Sequence, residues 1–190
     1  MLRVVRHFAL SALVLLALAP AAIALPTVSV SSPMFVDAGT SFSVDIMISD
    51  VDPTEPLNGF ELDVIFDGSV LTATSVVDGG FLLSPTFVVQ NSIGAVSVEF
   101  AEVTLLPFGA SGAGTLATIT FDAILPGFSD LDLTNVILSA PFGIQIGVAA
   151  VVDGSVRVRD SVNAIPEPSG MLLSAIGLLI VGVRVRRRAG

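Results

Sequence analysis

The sequence contains no cysteine, tryptophan, tyrosine or lysine, and its single histidine is His7. Without cysteine no disulfide can brace the fold, even in a compartment that permits one, so stability must come from an apolar core. Once His7 is set aside with the basic N-terminal segment, no Ser-His-Asp or Cys-His nucleophile, Schiff base or common zinc site can be assembled. Positive charge is equally scarce. Of eight basic residues, all arginine, six lie at the ends: Arg3, Arg6, Arg184, Arg186, Arg187 and Arg188. Between Leu25 and Ala164 only Arg157 and Arg159 stand against sixteen carboxylates, a net charge of −14. Such a surface lacks the basic stripe that binding a phosphate backbone requires, which excludes nucleic acid as a partner.

The apolar residues are unevenly placed, and the mean hydropathy of +0.90 comes largely from the two ends. Met1–His7 is basic, Phe8–Pro20 is apolar, and Ala22-Ile23-Ala24 has the small-x-small form that signal peptidase cuts. Residues 1–24 therefore read as a signal peptide cleaved after Ala24. At the other end, a linker over 161–169 carries Pro166-Glu167-Pro168. A hydrophobic helix over 170–185 and an arginine-rich tail over 186–190 follow it. The apolar run Gly170–Val183 spans about 21 Å as a helix, short of the roughly 30 Å hydrocarbon core. Arg184, Arg186, Arg187 and Arg188 hold that end in the cytoplasm, leaving the domain outside.

This order of features resembles the PEP-CTERM sorting signal of Gram-negative bacteria. The resemblance implies export across the inner membrane and transient membrane anchorage. It further implies recognition by an exosortase-type membrane protease and delivery to the cell surface or exopolysaccharide matrix.

Between the ends, alternation of period two dominates. Phe42, Val44, Ile46 and Ile48 alternate with Ser41, Ser43, Asp45, Met47 and Ser49. Phe60, Leu62, Val64 and Phe66 alternate with Glu61, Asp63 and Ile65. The same pattern recurs at 96–100, 117–123 and 156–159, and the runs are separated by turn signals such as Asp67-Gly68, Asp78-Gly79-Gly80 and Asp153-Gly154. The expected fold is all-β, a two-sheet antiparallel jelly-roll sandwich of about nine strands over 25–160.

Several segments also resemble cohesin domains: Ala38–Val44, Asn58–Asp67 followed by Val70-Leu71, Gly112–Phe121 and Asp153–Val156. Carbohydrate-binding modules share this architecture. The cohesin resemblance implies a nine-stranded jelly roll, and binding of a dockerin-like or other surface protein through a flat sheet face.

The remaining chemistry rests on carboxylates. Glu61 with Asp63, or Glu99 with Glu102, could form the acid pair of a glycosidase, but on strands such residues are first of all a solvated face, and the chain is not read as an enzyme. Asp50, Asp52, Thr54, Asn58 and Glu61 fall at calcium-loop spacing, which makes a structural Ca²⁺ held by Asp50, Asp52 and Glu61 the one cofactor to test. Glu55 occupies the position where such a loop needs glycine, and Asp130, Asp132 and Asn135 form a looser second cluster. For polysaccharide, the absent Trp and Tyr leave only turn phenylalanines, Phe81, Phe108, Phe128 and Phe142, to stack on sugar. The expectation is an exported, non-enzymatic adhesion or scaffolding module that binds protein through a sheet face, with exopolysaccharide binding as the alternative.

Overall fold

The computed structural model describes residues 25–161, and the segments expected to be a signal peptide, a sorting motif and a hydrophobic helix lie outside them. The described chain forms twelve strands: β1 Thr27–Ser31, β2 Phe35–Asp37, β3 Ser41–Val51, β4 Gly59–Phe66, β5 Leu71–Asp78, β6 Thr86–Ile93, β7 Ser97–Thr104, β8 Gly112–Ala123, β9 Gly127–Ala140, β10 Ile144–Ile146, β11 Ala150–Val152 and β12 Gly154–Arg159. Nine of these are five residues or longer, and β2, β10 and β11 are three-residue additions. They make a five-stranded sheet in the order β11-β1-β3-β8-β5 and a seven-stranded sheet in the order β2-β12-β9-β4-β7-β6, with β10 beside β9.

The sheets are mixed, which corrects the purely antiparallel expectation. β11 joins β1 in parallel, and β2 joins β12 in parallel. Both parallel pairs are three residues long and lie at sheet edges, where a short segment can cap open backbone groups without a full crossover. Every pair of long neighbouring strands is antiparallel.

Alternation converts directly into layers. Val44, Ile46 and Ile48 of β3 face Leu62, Val64 and Phe66 of β4 across one core, with Phe100, Leu116, Ile119, Leu131 and Leu138. Phe121 is the centre of an aromatic cluster, stacked on Phe42 at 5.8 Å and meeting Phe66 edge-on at 5.1 Å. Burying each such side chain is worth about 1.5–3 kcal/mol, enough for the core to hold without disulfides.

Turn chemistry sets the strand ends. The Asp67 carboxylate accepts from the N–H and hydroxyl of Ser69, and the Asp78 carboxylate accepts from Gly80 N–H. Gly79 cannot be replaced, because a Cβ there would lie 2.5 Å from the Thr115 carbonyl oxygen.

Asp130, Asp132 and Asn135, the looser second cluster, lie along β9, the longest of the described strands. Leu131 and Leu133 between them are buried, so the acids are the solvent side of an alternating strand.

Candidate functional site

The two outer faces of the sandwich differ. On the five-stranded sheet the outward residues are mostly hydroxyls, and they bond to one another. Ser41 donates to Asp122 and Thr118 donates to Asp45 at 2.7 Å, while Thr115 meets the Met47 sulfur at 3.3 Å. Asp45 and Asp122 on that face are thus each met by a hydroxyl.

The outer face of β9-β4-β7-β6 is built otherwise. β4 turns Glu61, Asp63 and Ile65 outward, and β7 turns Ser97, Glu99, Ala101 and Val103 outward. The register sets Asp63 directly opposite Glu99, with Glu61 opposite Ala101. Like charges directly across strands destabilise a sheet. Burial first, then the charges of Glu99 and Glu61, push the Asp63 carboxyl above the ordinary range, while a hydrogen bond from Asn135 pulls it back. Amides trim the cluster at both sides: Asn135 donates to Glu61 at 2.9 Å, and Gln90 donates to Glu99 at 2.7 Å.

Asn135 reaches Glu61 because β9 bulges there. Glu61 pairs with Ile137 and Asp63 with Thr134, so two residues of β9 oppose one of β4. Asn135 takes φ 50°, a left-handed conformation that asparagine tolerates better than most residues.

Beside the acids lies a depression of about 190 Å³. Gly59 and Ala101 leave its floor low, and Val89, Val103 and Ile137 form apolar walls. A Cβ at Gly59 would meet Ser139 Oγ at 2.9 Å, so glycine is what keeps this floor open. A cleft of about 340 Å³ adjoins it, sharing Val103 and Ser139 and continuing to Leu105, Pro107, Pro141 and Phe142. Phe142 is 93% exposed at φ 68°. A bulky residue held in the left-handed region with its ring in solvent is a costly arrangement, of the kind concentrated at binding sites.

The expected site residues separate on this map. Asp50 is the next-to-last residue of β3 in one sheet, whereas Glu61 projects from the other sheet, and the Asp52 carboxylate accepts from the Thr54 N–H at 2.7 Å and hydroxyl at 2.6 Å. Those two bonds hold the Asp52 carboxyl below its usual range. Among the described residues no three acidic groups gather around a metal-sized space, so Asp50, Asp52 and Glu61 do not form the calcium loop their spacing suggested.

Glu99 and Glu102 do not converge as an acid pair. Glu99 faces out, and Glu102 points into the sandwich, opposite Phe60. Of the turn phenylalanines, Phe81 packs on the core, while Phe108, Phe128 and Phe142 are exposed. The expected sorting residues Pro166, Glu167, Pro168, Arg184, Arg186, Arg187 and Arg188, and the expected cleavage residues Ala22 and Ala24, lie outside the described residues, and among those described no helix is long and apolar enough to cross a membrane.

A search of curated proteins finds no match. Among solved structures, the non-cellulosomal cohesin of the archaeon Archaeoglobus fulgidus superposes with a TM-score of 0.61 at 19% identity, covering 72% of this chain and 92% of that one. The seventh ScaB type I cohesin of Pseudobacteroides cellulosolvens gives 0.60 at 19% identity, covering 72% and 94%. The cohesin of the OlpC type I cohesin–dockerin complex from Clostridium thermocellum gives 0.61 at 14% identity, covering 75% and 98%. These likenesses establish the fold. The Cohesin domain family itself matches residues 26–158, most of the chain, and the protein therefore belongs to the cohesin family.

Proposed function

We propose that this protein is an adhesion or scaffolding module that docks a separate, dockerin-like protein on the outer face of β9-β4-β7-β6. The observation that carries the reading is the cluster of Glu61, Asp63 and Glu99, met by amides and by no positive charge, beside the apolar depression at Gly59 and Ala101. A partner bringing Arg or Lys over the acids and one aliphatic or aromatic side chain into the depression would relieve the repulsion and bury apolar surface in one step. Solved relatives that are complexes of a cohesin with a dockerin support a protein as the partner class. The net −14 of the domain steers a basic partner and repels an acidic one.

Export and sorting belong to the same reading. The Pro166-Glu167-Pro168 motif with the terminal arginines would hand the chain to an exosortase-type protease and place the domain on the cell surface or in the matrix, after removal of residues 1–24 by signal peptidase. A second reading, polysaccharide binding, draws on Phe142 and the adjoining cleft, since an exposed ring can stack on a sugar face.

The test is capture of secreted proteins and of crude exopolysaccharide from the source organism on the immobilised protein. Saturable capture of a protein that is lost in the Glu61→Lys, Asp63→Lys variant supports docking. Capture of polysaccharide alone, abolished by Phe142→Ala, replaces it with the second reading.

A further inference from the structure

A second pair of carboxylates, Glu102 buried and Asp78 exposed, lies at an open edge of the sandwich. Among the described residues, three of the four buried polar residues, Asn58, Glu102 and Thr104, occupy one end of the interior. Thr104 is satisfied: its hydroxyl donates to the Pro85 carbonyl at 3.1 Å and accepts from Leu106 N–H at 3.3 Å. Glu102 is not. It is 1% exposed, and neither of its carboxylate oxygens has a hydrogen-bond partner.

The register aims it. Glu102 is on the inward side of β7, opposite Phe60 on one flank and Val88 on the other. Asp78 is the last residue of β5 in the other sheet, paired with Ala117 at an inward position. Asn91 of β6 donates to the Val76 carbonyl of β5 at 3.3 Å, so the two sheets come together at this edge, and the Asp78 carboxyl and the Thr86 hydroxyl both lie close enough to act on Glu102. One Asp78 oxygen accepts from Gly80 N–H at 2.6 Å, and the residue itself is exposed, so it forms the solvent side of the pair.

An ionised carboxylate buried with no donor is among the costlier things a fold can hold, and a second carboxylate facing it adds to that cost. Something has to supply positive charge or donors there. Neither arginine of the domain does so, since both are on the outer side of β12: Arg159 pairs with Asp37 at 3.4 Å, and Arg157 lies across from Phe35 and Phe128.

We propose that Glu102 and Asp78 bind a calcium-class divalent cation that clasps β5 of one sheet to β6 and β7 of the other. The donors are all hard oxygens: both oxygens of Glu102, the second oxygen of Asp78 and the Thr86 hydroxyl, with water completing the shell from the Asp78 side. This suits Ca²⁺, which takes six to eight oxygens at flexible geometry, better than Mg²⁺, which demands a near-ideal octahedron. Burial pushes the Glu102 carboxyl up, with the Thr86 hydroxyl opposing and the Asp78 charge reinforcing that shift, so the competing occupant is a proton shared between the two acids. The cation is favoured because a single shared proton leaves one negative charge on the pair, whereas a divalent cation balances both carboxylates.

The site is independent of the docking reading and is tested without a partner. Full-length protein would be titrated with Ca²⁺ by calorimetry and followed by thermal unfolding, with Mg²⁺ and chelator as controls. A site of this charge is expected to bind in the range of about 10⁻⁴–10⁻³ M, as extracellular calcium modules do. At about 10 mM Ca²⁺ the midpoint should rise by about 5 °C, and chelator should reverse it.

Asp78→Asn, at an exposed position, should weaken Ca²⁺ binding at least tenfold, and Glu102→Gln should abolish it. The Glu61→Gln, Asp63→Asn variant on the outer face should bind as the parent does. Calorimetry without a calcium isotherm, or a calcium response that survives in Asp78→Asn and disappears in the outer-face variant, overturns the proposal. A midpoint that depends on pH but not on Ca²⁺ also overturns it, in favour of the shared proton.

Discussion

The two outer faces of this sandwich start from the same device, a strand alternating apolar and polar residues, and end differently. On the five-stranded sheet, hydroxyls and carboxylates meet in pairs, Ser41 with Asp122 and Thr118 with Asp45, so each acid is answered within the sheet. On the seven-stranded sheet, Asp63 is set across from Glu99 with Glu61 two residues away, and only amide groups answer them. One face is finished as it stands. The other keeps a repulsion and an apolar depression that only a second molecule resolves. The difference shows that a polar face is not a uniform category: what matters is whether its charges are closed by neighbours or left open.

The comparison can be broken most forcefully by charge reversal. Glu61→Lys with Asp63→Lys should weaken partner capture by about a hundredfold, since like charge placed against a basic partner costs several kcal/mol. The matched change on the other face, Ser43→Lys with Thr120→Lys, should leave capture within twofold. Capture that responds equally to both would erase the distinction between the faces. Next in size, Ile137→Asp puts a charge in the wall of the depression and should weaken capture about tenfold, with folding stability changed by no more than about 0.5 kcal/mol at this exposed position.

Removing a closed pair should show the reverse pattern. Asp45→Ala deprives Thr118 of its acceptor and should cost about 1 kcal/mol in denaturant unfolding, with capture unaffected. Smallest is Asp63→Asn, which removes the like-charge opposition. It should stabilise the protein by about 0.5 kcal/mol while reducing capture, the sign expected when binding rather than folding maintains a residue.

The pH dependence of Asp63 follows from the same charges. Its carboxyl is raised in the fold, so the native state holds its proton more tightly than the unfolded chain does. Stability from this group therefore falls as pH rises from the ordinary value of 3.8 through the raised folded value, and the loss is complete above it. Unfolding curves across that interval should be flatter in Asp63→Asn than in the parent. Glu102 contributes a slope of the same sign, and that slope should survive in the variant.

Much of the architecture was legible because period two is a local signal. Ser41–Ser49, Phe60–Phe66 and Ala117–Ala123 show their buried sides in the sequence, and the structure buries those sides. β9 is the harder strand to read: Asp130, Asp132 and Asn135 stand out as a loose acidic cluster, although Leu131 and Leu133 between them carry the strand signal. The same rule separates Glu99 from Glu102, since an odd spacing on a strand puts two residues on opposite faces.

The site was legible only in part. Glu61 and Asp63 stand out in the sequence, but the partner that makes them unusual, Glu99, is brought opposite by a hairpin register that no local pattern fixes. The short parallel pairs, the bulge that aims Asn135 and the juxtaposition of Asp78 with Glu102 are likewise long-range facts. Gly59 lies at the start of the strand segment Asn58–Asp67, and its role as a floor emerges only when Ala101 lies beside it.

Carboxyl footprinting tests the docking face most directly, because the two faces carry distinct acids that one reagent reads together. The protein alone and with its captured partner would be labelled with a carbodiimide and a small amine, and modification would be quantified at each Asp and Glu. Docking on the seven-stranded sheet predicts protection of Glu61, Asp63 and Glu99, with Asp45 and Asp122 labelled as in the free protein. Protection of Asp45 and Asp122 with the first three unchanged would contradict it and move the partner to the other side of the sandwich.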